Sequence, residues 1–372
     1  MNPSSLGVVC TLASPVARVA MLVDAAKRLV CDAAGAFDPP ADLVDELAVA
    51  SNLHTASVRW ALEHSLEWNA DAAMCEALVA NAGPWHFGGP LLVVLSANVT
   101  TGALRALACA VARSGNVLVY PSSRDAVLAS RLVHYAAFSG LRLVASRDDL
   151  PWSDPSARVV VYASEATAAE VRKRATGPVE VHGPGLGLAL LTDDDDVGAM
   201  GRLALDVAAF DQRGCLSPRF ALHVGSPAHG ERLGHALFEQ LSALATDRPR
   251  GTLDEGERHA HALYIQTARL LGRVWTGPGA TVVHGAEAAS LVPAPVGRVL
   301  PIHTVSSWAE AERILAPLAP LVSSVGAASE EVRTGFLREH LLRRSDLGFM
   351  QRPTFDGPVD KRPHGPERLD SR

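Results

Sequence analysis

Of the five cysteines in the chain, Cys215 is set apart by its neighbours. The segment Asp211-Gln-Arg-Gly-Cys-Leu-Ser-Pro-Arg219 joins an expected helix over 197–210 to an expected strand over 220–224, with Gly214 before the thiol and Ser217-Pro218 after it. A thiol at such a junction can face a cleft, where nearby backbone N–H groups would lower its pKa and later hold an oxyanion. That is the chemistry of covalent acyl transfer; a buried turn cysteine is the competing reading. Cys10, Cys31, Cys75 and Cys109 sit among small apolar residues and read as packing thiols. Five cysteines, far apart and without a CxxC pair, exclude a disulfide framework and a zinc ribbon.

Other polar residues fall where strands give way to helices. Asn98, in Leu95-Ser-Ala-Asn-Val-Thr-Thr-Gly102, follows an apolar strand and can aim its amide at the strand's carboxyl end, or act only as a turn or cap residue. In Tyr120-Pro-Ser-Ser-Arg-Asp125, Ser122 and Ser123 with the following helix start could bind hydroxyls or a phosphate, against ordinary capping. His182-Gly-Pro-Gly-Leu-Gly187 fails as a dinucleotide fingerprint, because a strand follows it rather than a helix. It reads as a close backbone approach near a site, or as a crossover between domains. The acidic run 193–196 reads as a solvated helix start. His259 and His261 point in different directions on a helix, and His223 reads as a core histidine.

The elements that must position these groups follow from periodicity. Apolar spacing predicts helices over 16–34 and 41–78, separated by Pro39-Pro40. Strands are expected over 91–97, 116–121, 141–145 and 158–163, with helices over 101–113, 123–138 (Ser123 as cap, Asp125 in the first turn) and 166–175. Strand and helix alternating with short links imply a parallel sheet, whose ligands bind at the strands' carboxyl ends. A second α/β block carries strands over 188–191, 220–224, 281–284 and 298–302. From Asp346 the chain turns rich in Pro, Gly, Arg and Asp, as in an extended arm and a frayed tail.

Hydrophobic residues form 48% of the 372-residue chain and charged ones 20%, the balance of a folded protein with room for two domains. A formal net charge of −6 argues against nucleic acid as partner. No apolar run reaches the roughly 20 residues that span a bilayer. The start, MNPSSLGVVC, lacks the basic and apolar regions of a signal peptide, so the expected location is the cytoplasm.

In their order these pieces resemble the acyl-CoA reductase family of the bacterial luminescence type (LuxC-like), a branch of the aldehyde dehydrogenase superfamily. Ser96-Ala-Asn98 is similar to the family's strand-end Asn motif, and Val117-Leu-Val-Tyr-Pro-Ser-Ser-Arg-Asp125 to its "VLVKPSSRD" segment. Gly183-Pro184 with Ala189 resembles "GxxxSxA", and Gln212, Cys215 and Ser217-Pro218 resemble the catalytic "Q-x-C-x-S-P". Gly348-Phe-Met-Gln-Arg-Pro353 with Asp356 and Asp360 resembles the C-terminal "G-x-M-Q-x-P…D".

The resemblance implies an aldehyde-dehydrogenase-like α/β protein. Residues 1–187 would form a helical segment and an NAD(P)-binding domain, 188–345 a catalytic domain, and 346–372 a C-terminal arm. It implies reduction of an acyl-CoA, or of an acyl carrier thioester, to the aldehyde, with Cys215 as nucleophile and Asn98 on the oxyanion. NADP or NAD would lie against Tyr120, Pro121, Ser122, Ser123, Ala163, Ser164, Glu165 and Gly183. It also implies a homo-oligomer joined through residues 347–360, and an acyl-transferring partner protein. Several positions depart from the family. Tyr120 replaces a Lys, Glu165 would oppose a 2′-phosphate, no basic residue stands near Gly185, and the N-terminal helical region is short. The superfamily's water-activating glutamate is also missing from the 182–187 stretch, which suits a reductase. An aldehyde or semialdehyde dehydrogenase and a non-catalytic scaffold are the alternatives.

Overall fold

A computed structural model describes residues 13–82, 89–96, 99–122, 124–136, 138–285 and 291–362. Cys10, Asn98 and Ser123 lie outside the described residues.

Four helices open the chain: α1 (Pro15–Val30), α2 (Ala41–Ser51), α3 (Thr55–His64) and α4 (Ala72–Ala82). Ser14 caps α1 by accepting from the Ala17 N–H at 3.2 Å, and Pro15 occupies the first turn, where a missing N–H leaves no bond unmade. The helix expected over 41–78 is three helices. Asn52 (φ 57°) and Glu67 (φ 63°) turn left-handed and break it. Asn tolerates that conformation locally, whereas the Glu67 carboxylate is tied to Arg105, a tertiary contact no local pattern announces.

The first sheet comes from β1 (Leu91–Val94), β2 (Val117–Tyr120), β3 (Leu141–Leu143), β4 (Arg158–Tyr162) and β5 (Val179–His182). The links carry α5 (Gly102–Arg113), α6 (Val127–Ala136) and α7 (Glu165–Arg174). Its order is β3-β2-β1-β4-β5, and every pairing is parallel. All four β1 residues are buried, as their unbroken Leu/Val run demands. Helix α6 starts later than expected: Asp125 precedes it, because its carboxylate takes the Thr100 hydroxyl instead of entering a first turn. The strand order reverses at β1, so a crevice opens at its carboxyl end.

After β5 the chain crosses through Gly183-Pro184-Gly185 into the second sheet. Its strands are β6 (Leu186–Thr192), β7 (Pro218–Val224), β8 (Arg273–Thr276), β9 (Thr281–Gly285), β10 (Val299–Val305), β11 (Val322–Ala327) and β12 (Arg343–Ser345). The order is β12-β11-β6-β7-β10-β9-β8, and only β8 with β9 is antiparallel. Helices α8 (Val197–Ala208), α9 (Pro227–Asp247), α10 (Glu255–Leu271), α11 (Trp308–Leu315) and α12 (Glu330–Gly335) join the strands. The sequence does not announce β5, β8, β11 or β12: β8 is a partly exposed edge, and Ser323, Ser324 and Gly326 interrupt the apolar run of β11.

Residues 346–362 fold back onto their own chain. The Arg105 guanidinium on α5 donates to the carbonyls of Pro353 (2.9 Å), Thr354 (2.8 Å) and Gly357 (2.8 Å). The Asp206 carboxylate on α8 accepts the N–H groups of Gly348 (2.6 Å) and Met350 (2.9 Å). Among the described residues no helix is long and apolar enough to cross a membrane, and no group of three or more His, Cys, Asp and Glu could hold a metal ion.

Candidate active site

Cys215 lies in a turn between α8 and β7, closed by the Ser217 N–H donating to the Gly214 carbonyl at 3.1 Å. Three neighbours fix that turn. The Ser323 hydroxyl donates to the Cys215 carbonyl, the Ser324 hydroxyl to the Leu216 carbonyl at 3.0 Å, and the Gly187 N–H to the Ser217 carbonyl at 2.8 Å. Gly187 must be glycine, because a Cβ there would run into the Leu216 carbonyl oxygen. Gly214 is equally confined: its Cβ would meet Val99 Cγ2 at 3.2 Å and Gln351 Oε1 at 3.3 Å. The thiol turn is therefore pressed between the chain just after Asn98 and the C-terminal segment.

Beneath the turn, three successive non-glycine residues are left-handed: Phe210 (φ 51°), Asp211 (φ 48°) and Gln212 (φ 63°). Each costs about 1–2 kcal/mol and persists only if its surroundings hold it. Asp211, fully buried, receives Arg298 Nε at 2.7 Å and the Gly251 N–H at 2.8 Å. Arg298, also fully buried and left-handed at φ 63°, donates further to the carbonyls of Arg248 (2.8 Å) and Pro249 (3.2 Å). The Gln212 amide donates to the Pro218 and Val299 carbonyls, both at 2.8 Å, and accepts the Val299 N–H at 2.7 Å. It thus bridges the starts of β7 and β10. The motif residues Asp211 and Gln212 serve as the foundation of the thiol turn.

A cleft of about 490 Å³ runs from the β1 crevice to Cys215. Burial pushes the thiol up to about 11, and the Asp360 carboxylate adds to that rise while Arg362 opposes it. The expected lowering by a backbone N–H is present, but loss of solvent around the sulfur outweighs it. Arg362 donates to Asp360 through its own N–H (3.0 Å), Nε (2.9 Å) and Nη2 (2.6 Å), so the Asp360 carboxyl sits below the usual carboxylate range despite burial. The same guanidinium donates to the Pro184 carbonyl at 3.1 Å and lies against Gly185. The basic group missing near Gly185 in sequence is thereby supplied in space. Deeper in the cleft wall, Arg105 pairs with Glu67, and burial brings the guanidinium down to about 9. His182 stacks on Tyr162, with ring centroids 4.5 Å apart, and lies 2.9 Å from Glu180.

The expected site residues divide. Cys215, Ala163, Ser164 and Gly183 all line the cleft. Ser164 caps α7, and a Cβ on Gly183 would meet nothing within 4 Å. Tyr120, Pro121 and Ser122 stand at the end of β2, beside the cleft: the Leu95 N–H donates to the Tyr120 carbonyl at 3.0 Å, and the Arg124 N–H to the Ser122 hydroxyl at 3.3 Å. Arg147 lies over the Tyr120 ring at 5.6 Å, returning a positive charge to the place of the absent Lys. Glu165, largely exposed, points to Arg172 at 3.1 Å. Ser323, Ser324, Asp360, Arg362 and Arg105 carry no motif signal of their own; the C-terminal similarity touched Asp360 only.

The fold is that of the aldehyde dehydrogenases. It matches an oxidoreductase from Marinobacter aquaeolei with a TM-score of 0.69 at 12% identity, covering 92% of this chain and 78% of the other. Aldehyde dehydrogenase 21 from Physcomitrella patens, solved with the reaction product succinate, matches with a TM-score of 0.68 at 13% identity over 94% and 80%. An aldehyde dehydrogenase of Mycobacterium tuberculosis complexed with NAD+ gives 0.62 at 17% identity over 90% and 77%. No curated protein sequence matches. The profile of the acyl-CoA reductase (LuxC) family matches residues 85–351, and the chain belongs to that family. Membership makes it an oxidoreductase of aldehyde-level chemistry.

Proposed function

We propose that the protein reduces an acyl-CoA thioester to the aldehyde with NAD(P)H, with Cys215 carrying the acyl group. The observation that carries this reading is the Cys215 turn, clamped by Ser323, Ser324 and Gly187, at the end of a cleft that begins at the cofactor-type crevice of β1. The crevice suits a dinucleotide: the capped start of α7 and Arg124 offer donors to phosphate, and open space lies over Gly183. Ala163, Ser164 and Gly183 would hold the cofactor from one side and residues 120–123 from the other. The bound nicotinamide supplies hydride.

The chain's own residues would do the rest. The Cys215 sulfur attacks the thioester carbonyl carbon, the carbon–sulfur bond to coenzyme A breaks, and the thiol proton leaves with coenzyme A. Asn98 and the Cys215 N–H would hold the oxyanion. Hydride arriving at the acyl carbon expels the Cys215 thiolate and leaves the aldehyde. Asp360 favours a second reading, aldehyde oxidation, since a carboxylate near the thiol could activate water. Its bonds to Arg362 argue against a free base. The same reading divides the chain into a cofactor part to residue 187, a catalytic part to 345 and a C-terminal segment.

Incubation with acyl-CoA alone, followed by mass spectrometry, tests this: an acyl adduct on Cys215 is expected, and NADH or NADPH should discharge it as aldehyde. Retained turnover in Cys215→Ala would end the proposal. Rapid release of free acid without cofactor would favour the oxidising reading.

A further inference from the structure

Residues 353–361 form a wall with a cavity on each side. Asp360 faces the thiol cleft, Lys361 faces a second pocket of about 490 Å³, and Pro353 lines both. In a chain of net charge −6, this second pocket gathers five cations, Arg333, Arg343, Arg344, Arg352 and Lys361, against two carboxylates. Asp356 is engaged by Arg343 at 2.9 Å and by Lys361 at 3.3 Å, and Asp346 by Arg333.

Among the described residues, two guanidinium groups of this pocket have no carboxylate at ion-pair distance, Asp206 and Glu63 acting on Arg352 only from farther off. Arg344 is fixed by the carbonyls of Arg333 (2.5 Å), Phe336 (2.8 Å) and Leu337 (2.8 Å). Arg352 lies over Trp60 at 5.2 Å and Phe349 at 5.2 Å, and its buried Nε has no hydrogen-bond partner among the described residues. Burial already disfavours the charge on both, a cost that an anion would offset. Phe349, at the same pocket, is 52% exposed, so its ring is open to a ligand.

We propose that this pocket binds a nucleoside phosphate, its phosphate on Arg344, Arg352 and Lys361 and its base on the Phe349 ring. Guanidinium and ammonium groups suit phosphate oxygens, and a ring beside an arginine plane offers the stacking that an inorganic anion does not use. The assignment does not depend on the role of Cys215.

Calorimetric titration of the full chain with adenosine 3′,5′-bisphosphate, adenosine and inorganic phosphate tests it. The bisphosphate should bind, more weakly at high salt, with adenosine undetected and phosphate weaker by about tenfold or more. Lys361→Gln and Arg352→Gln should each weaken it by about tenfold, and Phe349→Leu severalfold. Lys361 is exposed, so its variant stays informative if the Arg352 change disturbs folding. Absence of binding, or unchanged affinity in folded Lys361→Gln, would overturn the site. Phosphate binding as tightly as the nucleotide would overturn the role of Phe349.

Discussion

The Ser323 hydroxyl on β11 donates to the main-chain carbonyl of Cys215, 108 residues earlier in the chain. This bond, with its neighbour from Ser324 to Leu216, sets the turn that aims the thiol. Ser323→Ala should leave a buried carbonyl poorly satisfied and lower stability by about 1–3 kcal/mol. The larger effect should fall on kcat, with KM for the thioester little changed. Steady-state kinetics beside urea unfolding separate the two.

Cys215 is protonated at neutral pH, because burial and the Asp360 charge hold its thiol up to about 11. Its alkylation by iodoacetamide should therefore quicken steadily as pH rises from 7 towards 11. Asp360→Asn removes a negative charge and should move that profile to lower pH; Arg362→Gln removes a positive one and should move it to higher pH. An unmoved profile in both variants would show that burial alone sets the thiol.

The Asp211–Arg298 pair is sealed from solvent beneath the thiol turn. Arg298→Met should strand a buried carboxylate and cost about 3–5 kcal/mol, visible as a lower urea midpoint. Adding Asp211→Asn should recover part of the loss, since the stranded charge goes with it. Full additivity of the two changes would contradict direct coupling.

His303 on β10 makes no side-chain hydrogen bond among the described residues, and burial brings its imidazole down to about 4 from an ordinary 6.5. The unfolded chain then takes up a proton that the folded one refuses. Stability from this group is complete above pH 6.5 and falls as pH drops from 6.5 towards 4, by roughly 3 kcal/mol. Thermal unfolding between pH 4 and 8 should show that fall, and His303→Leu should flatten it.

What the chain discloses about itself follows from how locally each feature is encoded. The buried run of β1 and the alternation after it reveal a parallel sheet, because a strand covered on both faces needs an unbroken apolar stretch. Cys215 stands out through the glycine before it and the Ser-Pro after it. Ser323 and Ser324 are illegible: small polar residues in a buried strand look like a weak strand until the carbonyls they serve are known. Arg362 is hidden for a like reason, since only folding brings it beside Gly185. The breaks at Asn52 and Glu67 escaped the helical pattern because neither glycine nor proline marks them.

The carboxylate and guanidinium nearest in charge to the thiol belong to residues 360 and 362, whereas the crevice of β1 is built from residues before 170. A polypeptide leaving the ribosome folds from its N-terminal end. The cofactor-type sheet can thus form during synthesis while the cysteine still lacks its final wall. The wall around Cys215 is completed after the first sheet, so a nascent chain can present a folded first sheet well before residues 360 and 362 reach the thiol.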